Sequence, residues 1–122
     1  MSNPISWFEI ACNDLERAKT FYSKVFNAEF EFVEMPDAKM YMFKTDYESY
    51  GCSGSLVLSP DNVPSKEGVY IYFHSENVEI ETDRVSLAGG MVVLPKTSIG
   101  QFGFIALFMD SEGNKIGLHS MS

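Results

Sequence analysis

The sequence predicts an α+β fold made of two similar modules, each a strand followed by a helix and three further strands. The same order of β-rich runs and helical patterns occurs twice along the chain. A polar stretch with two prolines, residues 59–68, separates the two copies. One four-stranded unit cannot bury a sheet face alone, so we expect a curved mixed sheet around a central cavity, with the helices outside.

The length of the chain fits a single domain. Its 122 residues, 45% of them hydrophobic, can bury one core and are too few for two independent domains. We therefore expect one domain over residues 1–122, with a first module at about 5–58, a linker at 59–68 and a second module at about 69–119.

The first module begins with a strand and a helix. Residues 5–11 are rich in β-formers and predict the strand. Asn13 begins an N-x-x-E pattern with Glu16, which predicts a helix capped by the Asn13 side chain. Asn27 tolerates the left-handed conformation of a helix end. The apolar stripe that would face the sheet consists of Leu15, Ala18, Tyr22, Val25 and Phe26.

The remaining elements follow from β-rich runs and from turn residues. The first module continues with strands predicted at 29–34, 39–44 and 55–58, and with a loop at 45–54. The second module has a strand predicted at 69–74, a helix at 77–88 that Gly89 and Gly90 end, and strands at 91–94, 102–109 and 115–119.

The net charge and the hydropathy of the chain argue against two classes of partner, nucleic acid and membrane lipids. A net charge of −8 repels nucleic acid and anionic lipid headgroups, so we expect neither as a partner. No run approaches the ~20 apolar residues of a membrane span, and the first residues do not resemble a signal peptide, so we expect a cytoplasmic protein.

Cys12 and Cys52 are too few for a disulfide framework or a thiolate metal site. Free thiols are the expectation, and a single bridge between the two stays open.

Three stretches of the chain carry a resemblance to a known family. They are Asp14-Leu15-Glu16-Arg17-Ala18 through Phe21-Tyr22 to Val25-Phe26, then Gly89-Gly90, and finally Gly103 through Asp110 to Glu112-Gly113-Asn114-Lys115-Ile116-Gly117-Leu118. In this order and spacing the chain resembles the vicinal oxygen chelate superfamily of glyoxalases, bleomycin-resistance proteins and ring-cleaving dioxygenases. The resemblance covers nearly the whole chain and implies paired βαβββ modules, usually in a homodimer.

The resemblance also implies four positions for metal ligands, one on each of four strands. Metalloenzymes of the superfamily place His, Gln or Glu in the first and third strands and Glu in the others. Registered against that pattern, this chain has Trp7, Val57, Tyr70 and Gly117 at the four positions. Three of these side chains cannot coordinate a divalent cation, and tyrosine is an infrequent ligand for one. We therefore predict no metal ion and no cofactor.

A displaced metal site is the alternative to this prediction. Glu9, His74 and His119 lie two, four and two residues beyond the registered positions and share their strand faces. In the family arrangement the first strands of the two modules run antiparallel, which separates Glu9 from His74 by roughly 20 Å. Ligands must lie ~2 Å from a metal ion, so we do not expect these three to converge.

An aromatic wall is the second candidate feature of the cavity. Trp7, Tyr70 and Tyr72 would stack against a ring or a cation, although packing of the core between the modules explains them equally well. Glu9 would anchor a ligand amine or act as a general base, with a salt bridge at the strand end as the alternative. Glu9 is therefore the one, weak, catalytic candidate.

The leading hypothesis is a metal-independent protein that binds an aromatic or cationic small molecule. The predicted pocket residues are Trp7, Glu9, Val57, Tyr70, Tyr72, Gly117 and His119. One alternative is a metal-dependent lyase or isomerase of the glyoxalase type, or a ring-cleaving dioxygenase, whose ligands are registered wrongly. The other is a structural or regulatory dimer whose cavity is filled by its own side chains.

Overall fold

The protein is described by a computed structural model that covers residues 3–46 and 48–122. The elements of the first module are β1 (Trp7–Ala11), α1 (Leu15–Phe26), β2 (Phe30–Met35), β3 (Ala38–Phe43) and β4 (Ser53–Leu58). Those of the second are β5 (Tyr72–His74), α2 (Val78–Ala88), β6 (Met91–Ser98), β7 (Phe104–Met109) and β8 (Lys115–Ser120), with a 3₁₀ turn at Gly100–Phe102. The predicted order of elements is confirmed in both modules.

Each module forms one four-stranded mixed sheet. The strand order is β1-β4-β3-β2 in the first sheet and β5-β8-β7-β6 in the second. In both sheets the first pair, β1 with β4 and β5 with β8, is parallel, and the other pairs are antiparallel. The α+β fold of two βαβββ modules is thus confirmed. Strands β1 and β5 are edge strands in this order, each with one side free of strand pairing.

The start of α1 differs from the prediction by one residue. Asp14 is the N-cap, and its side chain accepts a hydrogen bond from the Arg17 backbone N–H at 3.0 Å. The first helical hydrogen bond runs from the Ala18 N–H to the Asp14 carbonyl at 3.0 Å, so Asp14 rather than Asn13 stands at the cap position. The predicted end of the helix is confirmed, since Asn27 adopts the left-handed conformation with φ of 55°.

The second module matches its predicted helix and departs from its predicted strands. Asn77 caps α2, and Gly89 ends it with φ of 104°. Strand β5 is shorter than predicted, and β6 continues through Pro95 to Ser98. Proline is tolerated there because β6 is an edge strand, where a missing N–H need not break the ladder. Phe102, predicted to begin β7, lies instead in the 3₁₀ turn.

The core lies between the helices and the two sheets. Phe21, Tyr22 and Val25 of α1 are fully buried in it. Phe73 of β5 joins the two modules, because its ring stacks on Phe26 with centroids 4.5 Å apart. Aromatic pairs of this kind add about 0.5–1.5 kcal/mol beyond the burial of their area.

The turn between β7 and β8, residues 110–114, fastens the second module to the start of α1. The buried Glu112 carboxylate accepts hydrogen bonds from the backbone N–H of Asn13 and of Asp14, at 2.8 and 2.9 Å. It also forms an ion pair with the Arg17 guanidinium, with Nε 2.7 Å away. Burial alone would raise the pKa of Glu112, but the hydrogen bonds from Arg17 and these two amides lower it to about 2.

The other polar residues of the β7–β8 turn hold α1, β1 and the linker. Asp110 accepts a hydrogen bond from the Tyr22 hydroxyl at 2.7 Å. The Asn114 amide donates to the Ala11 carbonyl at 2.8 Å, and its oxygen accepts from the Ser65 N–H at 3.0 Å. Sequence patterns identified this segment as a turn but not its partners, which are 49 to 103 residues away in the chain. The turn thereby fixes one end of the space between the modules.

Candidate functional site

A cavity of about 910 Å³ lies between the edge strands β1 and β5. Its floor is the aromatic cluster formed by Phe8, Phe26, Phe43 and Phe73. Its rim is formed by residues 3–5, the end of the β3–β4 loop and the linker. A volume of this size lies within the ~300–1,000 Å³ of sites for drug-sized ligands.

Four of the seven predicted site residues line this cavity. Trp7 and Glu9 extend from β1 on one side, and Tyr70 and Tyr72 lie on the β5 side. The exposed fractions of the three aromatic side chains are 37%, 40% and 46%, so the chain does not bury them in its own core. Within one chain, then, the cavity is not filled by its own side chains.

Glu9 lies on the open face of β1, away from the core. Its neighbours Phe8 and Ile10 pack against the core, whereas Glu9 and Trp7 point to the other face, as their alternation predicts. The predicted salt bridge of Glu9 is wrong: within residues 3–46 and 48–122, Glu9 belongs to neither of the ion pairs. Its carboxylate is exposed to the cavity without a cationic partner.

The other three predicted residues do not line the cavity. Val57 is 3% exposed and lies beyond the cavity wall. Gly117 lies directly under the Tyr72 ring, where an added Cβ would come within 2.4 Å of a ring carbon. His119 faces the 3₁₀ turn, and its Nε2 donates to the Phe102 carbonyl at 2.7 Å. The predicted place of these three in the pocket wall is therefore corrected.

The strand register explains why Val57 was misplaced. Trp7 pairs with Ser53 and Glu9 with Ser55, while Val57 pairs with Ala11 at the far end of β1. Val57 is thus four residues from the partner of Trp7, about 13 Å along the strand.

The second module identifies the equivalent position in the first. There Gly117 pairs with Tyr72, two residues after Tyr70. The same offset from Trp7 leads to Glu9 and to its partner Ser55. Ser55, rather than Val57, is therefore the counterpart of Gly117. Register between distant strands is not encoded by local sequence, which is why aligning the strand at residues 54–58 by its own sequence selected Val57 instead of Ser55.

The structure also shows the state of the two cysteines and the position of the Lys115 ammonium group. Both cysteines are free, Cys12 buried and Cys52 exposed at the rim, so no bridge joins them. Burial, reinforced by the negative charges of Glu112, Asp110 and Asp14, raises the pKa of Cys12 to about 12, which makes its thiol a poor nucleophile. The Lys115 Nζ lies over the Tyr70 ring, 5.2 Å from its centroid.

Comparison with known proteins identifies the family. The model of the glyoxalase/bleomycin resistance protein/dioxygenase superfamily matches residues 4–118. The chain belongs to this superfamily. The relationship predicted from Asp14–Phe26, Gly89-Gly90 and Gly103–Leu118 is confirmed.

Individual relatives of this glyoxalase-type chain include proteins of different kinds. A glyoxylase-like domain-containing protein from Didymella fabae is 30% identical over 117 residues, which are 90% of this chain and 88% of that protein. A glyoxalase I mutant from Zea mays has a TM-score of 0.77 at 21% identity, and the match covers 98% of this chain and 47% of the maize chain. An antibiotic-binding protein from Streptomyces has a TM-score of 0.68 at 23% identity, with 100% and 99% covered. The two structures share the fold with this chain.

The four expected ligand positions, with Ser55 in place of Val57, do not fit the metal ion that metalloenzymes of the superfamily hold. Trp7, Ser55, Tyr70 and Gly117 offer an indole, two neutral hydroxyls and a hydrogen atom. Divalent cations favour carboxylates and imidazoles, and none stands here. The displaced set of Glu9, His74 and His119 does not replace them: the described part of the chain contains no group of three or more His, Cys, Asp or Glu residues that could hold a metal ion.

Ser55 shows most clearly how the chemistry of these four positions differs from that of a metal site. It is fully buried, and its Oγ is the one buried side-chain oxygen or nitrogen of the described residues without a hydrogen-bond partner. An unpaired buried hydroxyl costs about 1–3 kcal/mol in lost hydration. The position offers a small neutral hydroxyl and no carboxylate that would bind a cation. Among the described helices, moreover, neither has the length and hydrophobicity that crossing a membrane requires.

Proposed function

We propose that this chain is a metal-independent protein that binds small molecules in the cavity between its modules. The observation that carries the proposal is the open cavity of about 910 Å³, with aromatic side chains on both walls and on the floor. A flat ligand would stack on Trp7 and on the Tyr70 ring while its apolar surface is buried against the phenylalanine floor. Such binding needs no catalytic residue, and Glu9 serves as a polar contact.

The relatives include a binding protein as well as an enzyme. The side chains at the four expected ligand positions favour binding without a metal ion. A glyoxalase I from maize and an antibiotic-binding protein from Streptomyces share this fold. The metal-dependent lyase or dioxygenase remains the second candidate because of that enzyme relative. The four positions Trp7, Ser55, Tyr70 and Gly117 support the metal-independent alternative, since they offer no anionic ligand.

A neutral aromatic probe tests the proposal directly. Trp7 is the single tryptophan of the chain and lies in the cavity wall, so its fluorescence reports on the site itself. We expect biphenyl-4-carboxamide to change this fluorescence saturably and to raise the Tm of the protein. In Trp7→Ala, calorimetry should show about tenfold weaker binding, because one stacking surface is lost.

Two outcomes would count against a binding cavity. The first is the absence of any Tm rise or fluorescence change at saturating probe. The second is a loss of stability of ~3 kcal/mol or more in Trp7→Ala without probe, which is the cost of emptying a packed core position rather than a pocket wall.

We also propose that the two modules act as one domain, that the chain forms a homodimer and that it resides in the cytoplasm. Large apolar side chains that one chain leaves exposed, among them Met35, Met91 and Val93, support self-association. The free thiols of Cys12 and Cys52 suit a reducing compartment. Sedimentation equilibrium tests the dimer, and a monomer at every concentration would contradict it.

A further inference from the structure

Lys115 places a positive charge in the wall of the cavity, although the whole chain carries a net charge of −8. It is the first residue of β8 and is partly buried. Its ammonium group lies over the Tyr70 ring, 5.2 Å from the centroid, and this contact holds it at the cavity rather than in bulk solvent.

In the part of the chain that the structure describes, no carboxylate forms an ion pair with this ammonium group. The ion pairs found in residues 3–46 and 48–122 join Arg17 to Glu112 and Lys96 to Glu79. Glu67 and Lys66 border a smaller depression of about 520 Å³ that adjoins Lys115, yet Glu67 pairs with neither lysine. A partly buried charge without a counterion is unfavourable, and an anionic group of a ligand would supply one.

The strand register gives the cavity two unlike ends. At one end Trp7 pairs with Ser53, and residues 50–52, which directly precede Ser53, line the same cavity. At the other end the Ala11 carbonyl is held by Asn114, and Lys115 follows directly. The aromatic surface of Trp7 and the positive charge of Lys115 therefore lie toward opposite ends of the same space.

We propose that the ligand of this cavity is an aromatic compound with a carboxylate or a similar anionic group, bound with its anion at Lys115 and its rings toward Trp7. This inference rests on the proposed function and specifies the class of ligand. It selects an anionic ligand in place of the cationic one that the leading hypothesis from the sequence included. Glu9 is the one carboxylate in the described cavity wall, and the positive charge of Lys115 offsets its negative charge.

Three probes with the same rings and different charges test the inference. Biphenyl-4-carboxylate is anionic, biphenyl-4-carboxamide is neutral and biphenyl-4-methylammonium is cationic at neutral pH. Calorimetry on the wild-type chain should show the carboxylate binding about tenfold more tightly than the amide, because a charge-assisted contact to Lys115 is added. The ammonium probe should bind more weakly than either.

Variants of Lys115 assign the preference to this side chain. In Lys115→Met the carboxylate should lose its advantage, while the amide stays within about twofold of its wild-type affinity. Lys115→Arg keeps the charge and should keep the preference. Lys24→Met is the matched control, because it removes the same charge from an exposed position on α1 outside the cavity wall.

The outcomes separate this inference from the proposed function. If the three probes bind equally, or if the carboxylate keeps its advantage in Lys115→Met, the inference is overturned while a small-molecule site remains. If none of the probes binds the wild-type chain, the proposed function fails and the inference with it. Should Lys115→Met fail to fold, the probe series on the wild type and on Lys115→Arg still decides, since equal affinities there overturn the inference.

Discussion

At the scale of single residues, Ser55 and Trp7 show how the site differs from a metal centre. Both lie at positions where metalloenzymes of the superfamily hold a ligand. The Trp7 indole cannot coordinate a divalent cation, and the neutral Ser55 hydroxyl lacks the negative charge of the carboxylate that those enzymes use. Ser55 is fully buried with an unpaired hydroxyl, whereas Trp7 is 37% exposed toward the cavity. The first position belongs to the packed sheet, and the second belongs to the cavity wall.

The unpaired hydroxyl of Ser55 leads to a prediction about stability. Ser55→Ala removes a buried group that has no partner, so we expect the free energy of unfolding to rise by about 1 kcal/mol. Ser53→Ala is the matched control, because the Ser53 Oγ donates to the Phe43 carbonyl at 3.2 Å in the same strand. That control should lose about 1 kcal/mol.

Urea unfolding of both serine variants measures the difference. A loss of stability in Ser55→Ala equal to that in Ser53→Ala would show that the Ser55 hydroxyl has a hydrogen-bond partner in solution.

Two kinds of sequence reasoning predicted the four residues that line the cavity. Counting from motifs led to Trp7 and Tyr70, and side-chain alternation added Glu9 and Tyr72 on the same strand faces. Val57 was misplaced because the pairing of β1 with β4 depends on packing between segments more than 40 residues apart. Local sequence carries no record of that pairing.

At the scale of elements, the β7–β8 turn is a structural clamp rather than a simple reversal. Glu112 binds the two amides before α1 and the Arg17 guanidinium, and Asn114 ties Ala11 to the linker. A negative charge at a helix N-terminus also interacts favourably with the helix dipole. The helix starts after Asp14, whose side chain accepts from the Arg17 N–H, and the clamp holds the amides of both Asn13 and Asp14.

The lowered pKa of Glu112 predicts how the stability depends on pH. The folded pKa is about 2, below the ordinary value of 4.5, so the ionised carboxylate stabilises the fold above pH 4.5. This stabilisation is lost as the pH falls from 4.5 through about 2. Glu112→Gln should therefore lower the free energy of unfolding by about 2 kcal/mol at neutral pH and by much less near the folded pKa.

Urea unfolding across this acid range checks the prediction, with Glu34→Gln, an exposed position on β2, as the control. A Glu112→Gln protein that is as stable as the wild type at neutral pH would contradict the role of the clamp.

The ends of the helices were predictable because capping depends on local residues. The end of strand β6 was not, because it depends on pairing with another strand. Asn27, Asn77 and Gly89 mark helix ends as their side chains or conformations require. Strand β6 extends four residues beyond its predicted end because it pairs with β7 through an irregular register around Pro95. Such a bulged pairing has no signature in the β6 sequence alone.

At the scale of the whole molecule, the two modules meet through aromatic packing and enclose the cavity without pairing their edge strands. Phe73 contacts both Phe8 and Phe26 from the other module, at centroid distances of 5.8 and 4.5 Å. Repetition of the strand–helix–three-strand order predicted this arrangement, because one module alone cannot cover its sheet. The sequence could not predict how far apart β1 and β5 lie, since that distance depends on how these rings pack.

The central claim is that the cavity binds an organic ligand without a metal ion. The most direct measurement determines the divalent metal content and the affinity for biphenyl-4-carboxamide of one wild-type preparation purified without chelator, before and after treatment with EDTA. We expect far less than one ion per chain, and an affinity that EDTA leaves unchanged within about twofold. One tightly held ion per chain, whose removal abolishes probe binding, would contradict the claim.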